Sequence, residues 1–164
     1  MNVPLTPIRF LRYAGEQFAA DPAIVCGEQR FTYAQFADRA ARLAGALQRE
    51  GIRSGDRVAF LSANCHRLLE AYYGVLEADG VLLPLNIRLA PAELAYVLND
   101  SGARFLFVEQ ALLPLAEAFR REVPRIERIY QLDGPPRADW LSPHDYRPTG
   151  SERYVRLYRC ERQL

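Results

Sequence analysis

The amino-acid sequence predicts an α/β fold, a mostly parallel sheet with helices on both faces, preceded by an N-terminal helix and a small β-hairpin. Three observations lead there. Short β-prone runs at 57–61, 81–85, 104–108 and 126–132 alternate with segments of helical period. Most of these runs are apolar along their length instead of alternating, as strands covered on both faces must be. Each interval has room for a helix, which implies right-handed crossovers between parallel strands. With 164 residues, 49% hydrophobic and 25% charged, the chain has the proportions of one soluble globular domain with a real core.

The elements follow in order. Thr6 to Ala20 places Ile8, Leu11, Tyr13, Ala14 and Phe18 at roughly helical spacing until Asp21-Pro22 breaks the pattern. Ala23–Cys26 and Gln29–Thr32 read as two strands joined by Gly27-Glu28, the glycine supplying the positive φ of a two-residue II′ turn. Thr32 and Gln35 have the spacing of a capping box, Phe36, Ala40, Leu43 and Leu47 line one face of the next helix, and Gly51 closes it. After the strand at 57–61, Asn64 is the expected cap of a helix carrying Leu68, Leu69, Tyr72, Val75 and Leu76, which Gly80 is expected to end. Pro91 opens a helix through Leu94, Val97 and Leu98 that stops near Gly102, and Leu112, Leu115, Ala116 and Phe119 mark another.

Beyond Leu132 the character changes. Asp133-Gly134-Pro135-Pro136 reads as a turn or linker, and Trp140 and Tyr146 are placed to pack a last loop. Residues 1–146 are read as the domain and residues 147–164 as an irregular tail with neither helical nor strand period. That abrupt loss of pattern suggests a shifted reading frame over the tail.

Composition excludes several chemistries. All 21 basic residues are Arg and Lys is absent, so a Walker-type phosphate lysine, a Schiff-base amine and a lysine general base are excluded within these residues. A net charge of +1 with scattered arginines gives no field for nucleic acid. No stretch has the apolar length of a transmembrane span, and the chain reads as cytoplasmic. Cys26, Cys65 and Cys160 are odd in number and widely spaced, against both a disulfide framework and a zinc site. The segments following the strands, Ser62-Ala63-Asn64-Cys65-His66, Leu85-Asn86-Ile87-Arg88 and Val108-Glu109-Gln110, contain no glycine-rich phosphate loop. Cys65-His66 as a catalytic dyad competes with two ordinary helix-start residues, and Asn86 and Arg88 as ligand contacts compete with a locally hydrogen-bonded turn. His144 reads as a solvated turn residue. Glu70, Glu77 and Asp79 read as a solvated face with Arg67, not as an acid/base pair. The residues alone therefore nominate no catalytic, cofactor-binding or metal-binding residue.

An ordered set of motifs adds to this. Phe31-Thr32-Tyr33-Ala34-Gln35-Phe36, Arg42-Leu43-Ala44, Gly55-Asp56-Arg57-Val58-Ala59, Leu69-Glu70-Ala71-Tyr72-Tyr73-Gly74-Val75, Gly80-Val81-Leu82-Leu83-Pro84-Leu85-Asn86 and Asp100-Ser101-Gly102-Ala103 resemble the opening of the AMP-forming acyl-CoA synthetases, over about Thr6 to Leu132. The resemblance implies a two-step reaction in the full-length family: a carboxylic acid, such as a fatty acid, attacks ATP with Mg²⁺ to give an acyl-adenylate and pyrophosphate, and CoA then displaces AMP. The family's Ser/Thr/Gly-rich loop ending in Pro-Lys-Gly, its aromatic-Thr-Glu segment, its ribose-binding Asp and its C-terminal lysine have no counterpart here. The resemblance thus implies a truncated N-terminal scaffold, inactive alone, that carries over no site residue and has ATP, Mg²⁺ and CoA only as cofactors of the full-length family. A subunit completed by a second chain holding the missing remainder, and a non-catalytic binding module, are the alternatives. Such a scaffold is also expected to expose apolar surface or an unpaired strand edge.

Overall fold

A computed structural model of the chain describes residues 6–134 and the two residues Tyr158–Arg159. The helices are α1 (Pro7–Gln17), α2 (Tyr33–Arg49), α3 (His66–Glu77), α4 (Pro91–Ser101) and α5 (Leu113–Phe119). The strands are β1 (Pro22–Cys26), β2 (Gln29–Thr32), β3 (Arg57–Leu61), β4 (Val81–Pro84), β5 (Phe105–Val108), β6 (Arg128–Gln131) and β7 (Tyr158–Arg159). The chain divides into two compact units, one of residues up to 54 together with 64–80, the other of 55–63 and everything from 81 onward.

The first unit holds α1, the hairpin β1–β2, α2 and α3. The hairpin is antiparallel, with Cys26 opposite Gln29 and Gly27 at φ +59°, as the turn reading requires. The capping box of α2 forms in full: Thr32 Oγ1 accepts from the Gln35 N–H and Gln35 Oε1 accepts from the Thr32 N–H. At its other end Gly51 takes φ +77°, and the Gly51 and Ile52 N–H groups reach back to the Gln48 and Leu47 carbonyls, satisfying those two orphan acceptors. The expected face of Phe36, Ala40, Leu43 and Leu47 is buried.

Helix α3 departs from the sequence reading in three ways. Cys65, not Asn64, is its N-cap: its backbone is extended and its carbonyl accepts from the Leu69 N–H, closing the first turn. Asp79, not Gly80, takes the left-handed conformation that ends the helix, at φ +62°. Gly80 follows it because a Cβ there would lie 2.7 Å from the Ile52 side chain and 3.2 Å from the Val75 carbonyl. The buried face is also rotated: Leu68, Glu70, Ala71, Gly74 and Val75 turn inward while Leu69 and Tyr72 are exposed. The cause is close approach to α2, since a Cβ on Gly74 would sit 2.7 Å from the Ala40 carbonyl oxygen and 3.0 Å from Leu43 Cβ. The first helix is shorter than read, and Leu11 is its one buried residue.

The second unit holds the main sheet, in the order β4-β3-β5-β6-β7. The four strands β3 to β6 are mutually parallel, and β7 pairs antiparallel with β6 through Tyr130↔Arg159 and Gln131↔Tyr158. The rest of the tail, including His144 and Cys160, lies outside the described residues. One sheet face carries Ala59, Leu61, Leu106, Val108 and Ile129, packed with Leu94 and Leu98 of α4 and Leu113, Ala116 and Phe119 of α5. On the opposite face Phe60, Phe107 and Tyr130 stand in register and stack at centroid distances of 4.6 and 4.7 Å. All four residues of β5 are buried, as the apolar runs predict. The outer strand β4 is more open, with Val81 49% exposed, and Tyr96 of α4 is 70% exposed. Among the described residues no helix is long and apolar enough to cross a membrane.

Two glycines of α2 and α3 then have opposite expected responses. Gly74→Ala drives a methyl group into backbone and should cost about 1–3 kcal/mol in urea unfolding. Gly45→Ala meets only the flexible end of Arg49 and should leave stability unchanged or raise it by about 0.5–1 kcal/mol. Equal effects at the two positions would contradict the helix contact described.

Candidate functional site

In a doubly wound sheet the ligand site lies beyond the carboxyl ends of the strands, where successive strands turn to opposite sides. Here that point is between β3 and β5, because the chain goes from β3 to β4 on one side and then to β5 on the other. The ends of these two strands are joined by Glu109. Its Oε2 accepts from the Ala63 N–H at 2.7 Å and from Ser62 Oγ at 3.3 Å. Next to it, Asp133 Oδ1 accepts from the Gln110 N–H at 2.7 Å, tying the end of β5 to the segment after β6. Asn86, after β4, spends its side chain on the Arg88 N–H at 3.0 Å, and its carbonyl accepts from the Leu89 N–H. The turn reading of Asn86 and Arg88 is therefore the one the structure supports. Glu109 and Asp133 were not singled out in the sequence; a carboxylate following an apolar strand was the available signal.

At the other end of the sheet a second set of charges holds the strands in place. Arg104, before β5, forms a bidentate pair with Glu127, before β6, at 2.8 and 2.7 Å, and also binds Asp56, before β3. Both carboxylates raise the Arg104 guanidinium above its ordinary value against the opposing effect of burial, with the Glu127 hydrogen bond as the largest cause. Arg57 donates through Nε to the Ser101 carbonyl at 2.6 Å and through Nη2 to the Gly102 carbonyl at 3.2 Å, capping the end of α4. A Cβ on Gly102 would meet that guanidinium at 2.6 Å, and the residue has φ +63°.

The first unit contains the remaining titratable cluster. Glu70 is 5% exposed and accepts from Arg39 at 2.5 and 3.1 Å. The Arg39 guanidinium lies 4.7 Å from the centre of the Phe31 ring, and the ring of buried His66 lies 5.2 Å from the same ring. This corrects the solvated-face reading of Glu70 and Glu77. They are not neighbours in one exposed patch, because Glu70 is buried with Arg39 whereas Glu77 pairs with Arg12 at 2.5 Å. Arg67 adds a further electrostatic attraction to Glu70. Burial pushes the Glu70 carboxyl above its ordinary value, and the Arg39 hydrogen bond and charge pull it back only in part. Cys65 and His66 are divided between a partly exposed N-cap and a buried ring against Phe31. Among the described residues no group of three or more His, Cys, Asp or Glu is arranged to hold a metal ion.

A sheet reversed between β3 and β5, with four parallel strands and a separate antiparallel hairpin, is the arrangement of the N-terminal subdomain of adenylate-forming enzymes. The sequence matches the AMP-binding enzyme family over residues 11–153. It is 38% identical over 127 residues to 4-hydroxybutyrate–CoA ligase 2 of Metallosphaera sedula, covering 75% of this chain and 23% of that protein. It is 43% identical over 104 residues to a long-chain-fatty-acid–CoA ligase of Thermus thermophilus, covering 63% of this chain and 19% of that protein. Among solved structures, an anthranilate CoA ligase in complex with anthranoyl-AMP aligns with a TM-score of 0.76 at 26% identity, over 80% of this chain and 26% of the other. A fatty acyl CoA synthetase of Mycobacterium tuberculosis aligns at 0.66 and 33%, over 69% and 23%. The chain belongs to the AMP-binding enzyme family and corresponds to the N-terminal region of an adenylate-forming acyl-CoA synthetase. It spans about a quarter of the length of these relatives.

The family is ATP- and CoA-dependent, and the strand-end residues can be tested against a nucleotide. A phosphate needs backbone N–H donors and cations facing it. Here the Ala63 and Gln110 N–H groups are already taken by Glu109 and Asp133, which also add negative charge. These residues do not fit a polyphosphate.

The Glu70 pair has a measurable consequence. An acid whose value is raised on folding holds more proton in the folded than in the unfolded chain, so stability falls as pH rises from the ordinary 4.5 through the raised value. Urea unfolding across that window should show the fall in the native chain and a weaker one in Glu70→Gln. Arg39→Met, which leaves Glu70 buried with its pair removed, should cost about 3 kcal/mol at neutral pH. A Glu70→Gln profile identical to that of the native chain would remove this assignment.

Proposed function

We propose that these residues serve as the N-terminal scaffold of an acyl-CoA ligase and that the 164-residue chain by itself does not activate an acid. In the whole protein the reaction joins a carboxylic acid to CoA while ATP is split to AMP and pyrophosphate, with Mg²⁺ as the metal. A carboxylic acid, such as a fatty acid, is the substrate class of the whole protein, the cytoplasm the location, and the remainder of the synthetase the partner. The observation that carries this reading is the closed switch point: the site where a doubly wound sheet would hold its ligand is spanned by Glu109 within a chain of the AMP-binding family. The absence of Lys from all 164 residues supports the same reading, since the lysines of the family's Pro-Lys-Gly loop and C-terminal domain have no counterpart among them. What remains is a platform of buried strands whose loops are held by their own side chains.

The purified chain should show no acid-dependent exchange of labelled pyrophosphate into ATP and form no acyl-CoA thioester, with acids from butyrate to palmitate. Addition of a separately expressed remainder of a related ligase that restores exchange would support the scaffold role. Turnover by the chain alone, lost on substitution of its own residues, would overturn the proposal.

A further inference from the structure

Within the first unit a groove of about 320 Å³ lies between β1 and the start of α3. Buried Ile24 and Leu68 line it together with three exposed apolar side chains, Val25 at 62%, Tyr72 at 47% and Leu69 at 39%. Two cysteines line it as well. Cys26 comes from the end of β1 and Cys65 from the N-cap of α3, and both are partly exposed, so a molecule seated in the groove has sulfur beside it. None of the residues lining the groove is Asp, Glu or Arg. A charged ligand would lose hydration there without gaining an opposite charge, a cost that a neutral ligand does not meet. The volume is at the lower end of ligand sites, about 300–1,000 Å³, and suits a small molecule.

We infer that this groove captures small, uncharged, mainly apolar α,β-unsaturated carbonyl compounds as covalent adducts of Cys26 or Cys65. The apolar part of the molecule rests on Leu68, Leu69 and Tyr72, which holds its double bond near a thiol and raises the local concentration of the reacting pair. The thiolate sulfur then adds to the β-carbon and forms the C–S bond. The π pair moves to the carbonyl oxygen, and the enolate so formed takes a proton at its α-carbon, replacing the one that the thiol lost to water. Nothing is oxidised and no group leaves. That balance selects this class over acyl transfer and disulfide exchange, each of which expels an anion that no arginine of the groove is placed to meet. With no Lys in the chain, side-chain amines do not compete for the same acceptor. The inference is independent of the ligase reading, because its test uses no ATP, CoA or carboxylic acid.

Two maleimides that differ only in chain length, N-ethylmaleimide and N-hexylmaleimide, test it, with the rate of adduct formation at each cysteine of the full chain read by peptide mass mapping. At Cys26 or Cys65 the hexyl-to-ethyl rate ratio should be about tenfold higher in the native chain than in the same chain unfolded in urea, where the groove is gone. Leu69→Ser with Tyr72→Ser should bring the native ratio to within about threefold of the unfolded one. Both side chains are exposed, so the fold is kept, and circular dichroism should show native helix content. Tyr96→Ser, which removes an exposed ring on α4, should leave the ratio unchanged. A native ratio no higher than the unfolded one at either cysteine, a ratio that survives the double substitution, or one that falls as far in Tyr96→Ser would overturn the inference. So would a product lighter than the reduced chain by two thiol hydrogens and carrying no adduct, since Cys26 and Cys65 would then react with each other instead of with a ligand.

Discussion

A strand covered on both faces can present only apolar side chains, and that constraint organises the larger unit. In β5 all four residues, Phe105–Val108, are buried, with alternate side chains directed to opposite faces. Leu106 and Val108 join the aliphatic layer under α4 and α5, while Phe107 enters the aromatic stack with Phe60 and Tyr130. Shifting the register by one residue would exchange the two sets and place rings where the helices need small aliphatic groups. The strand is also central in the sheet, with β3 on one edge and β6 on the other, both parallel to it.

That constraint is the reason so much of the fold was legible. Residues 57–61, 81–85, 104–108 and 126–132 declare themselves by composition, and the capping box at Thr32 and Gln35 and the stop at Gly102 are read from spacing alone. What was not legible depends on contacts between residues far apart in sequence. The face of α3 is set by Gly74 lying against Ala40, so the periodicity of Leu69 and Tyr72 misleads. Glu70 looked solvated because its partner, Arg39, is 31 positions away, and a bidentate pair at that separation leaves no local mark.

The strand ends teach a related lesson. The sequence gives no phosphate loop after β3, β4 or β5, but it could not say what fills the position instead. Glu109 does so because a carboxylate just past β5 is in reach of the peptide just past β3. The same geometry that makes a switch point attractive to anionic ligands thus makes it attractive to the protein's own carboxylate.

The two ends of the sheet should therefore age differently under heat. At the amino ends of β3, β5 and β6, one guanidinium gathers Asp56 and Glu127 into a partly buried network. The hydration of such charges becomes less favourable on warming, so the desolvation opposing the network shrinks while hydrophobic stabilisation levels off. At the carboxyl ends Glu109 and Asp133 accept hydrogen bonds from neutral donors, which have no comparable gain. Fraying on approach to the melting temperature would then begin at the strand termini nearest those two carboxylates and reach the Arg104 clasp last, giving the sheet a direction in which it comes apart.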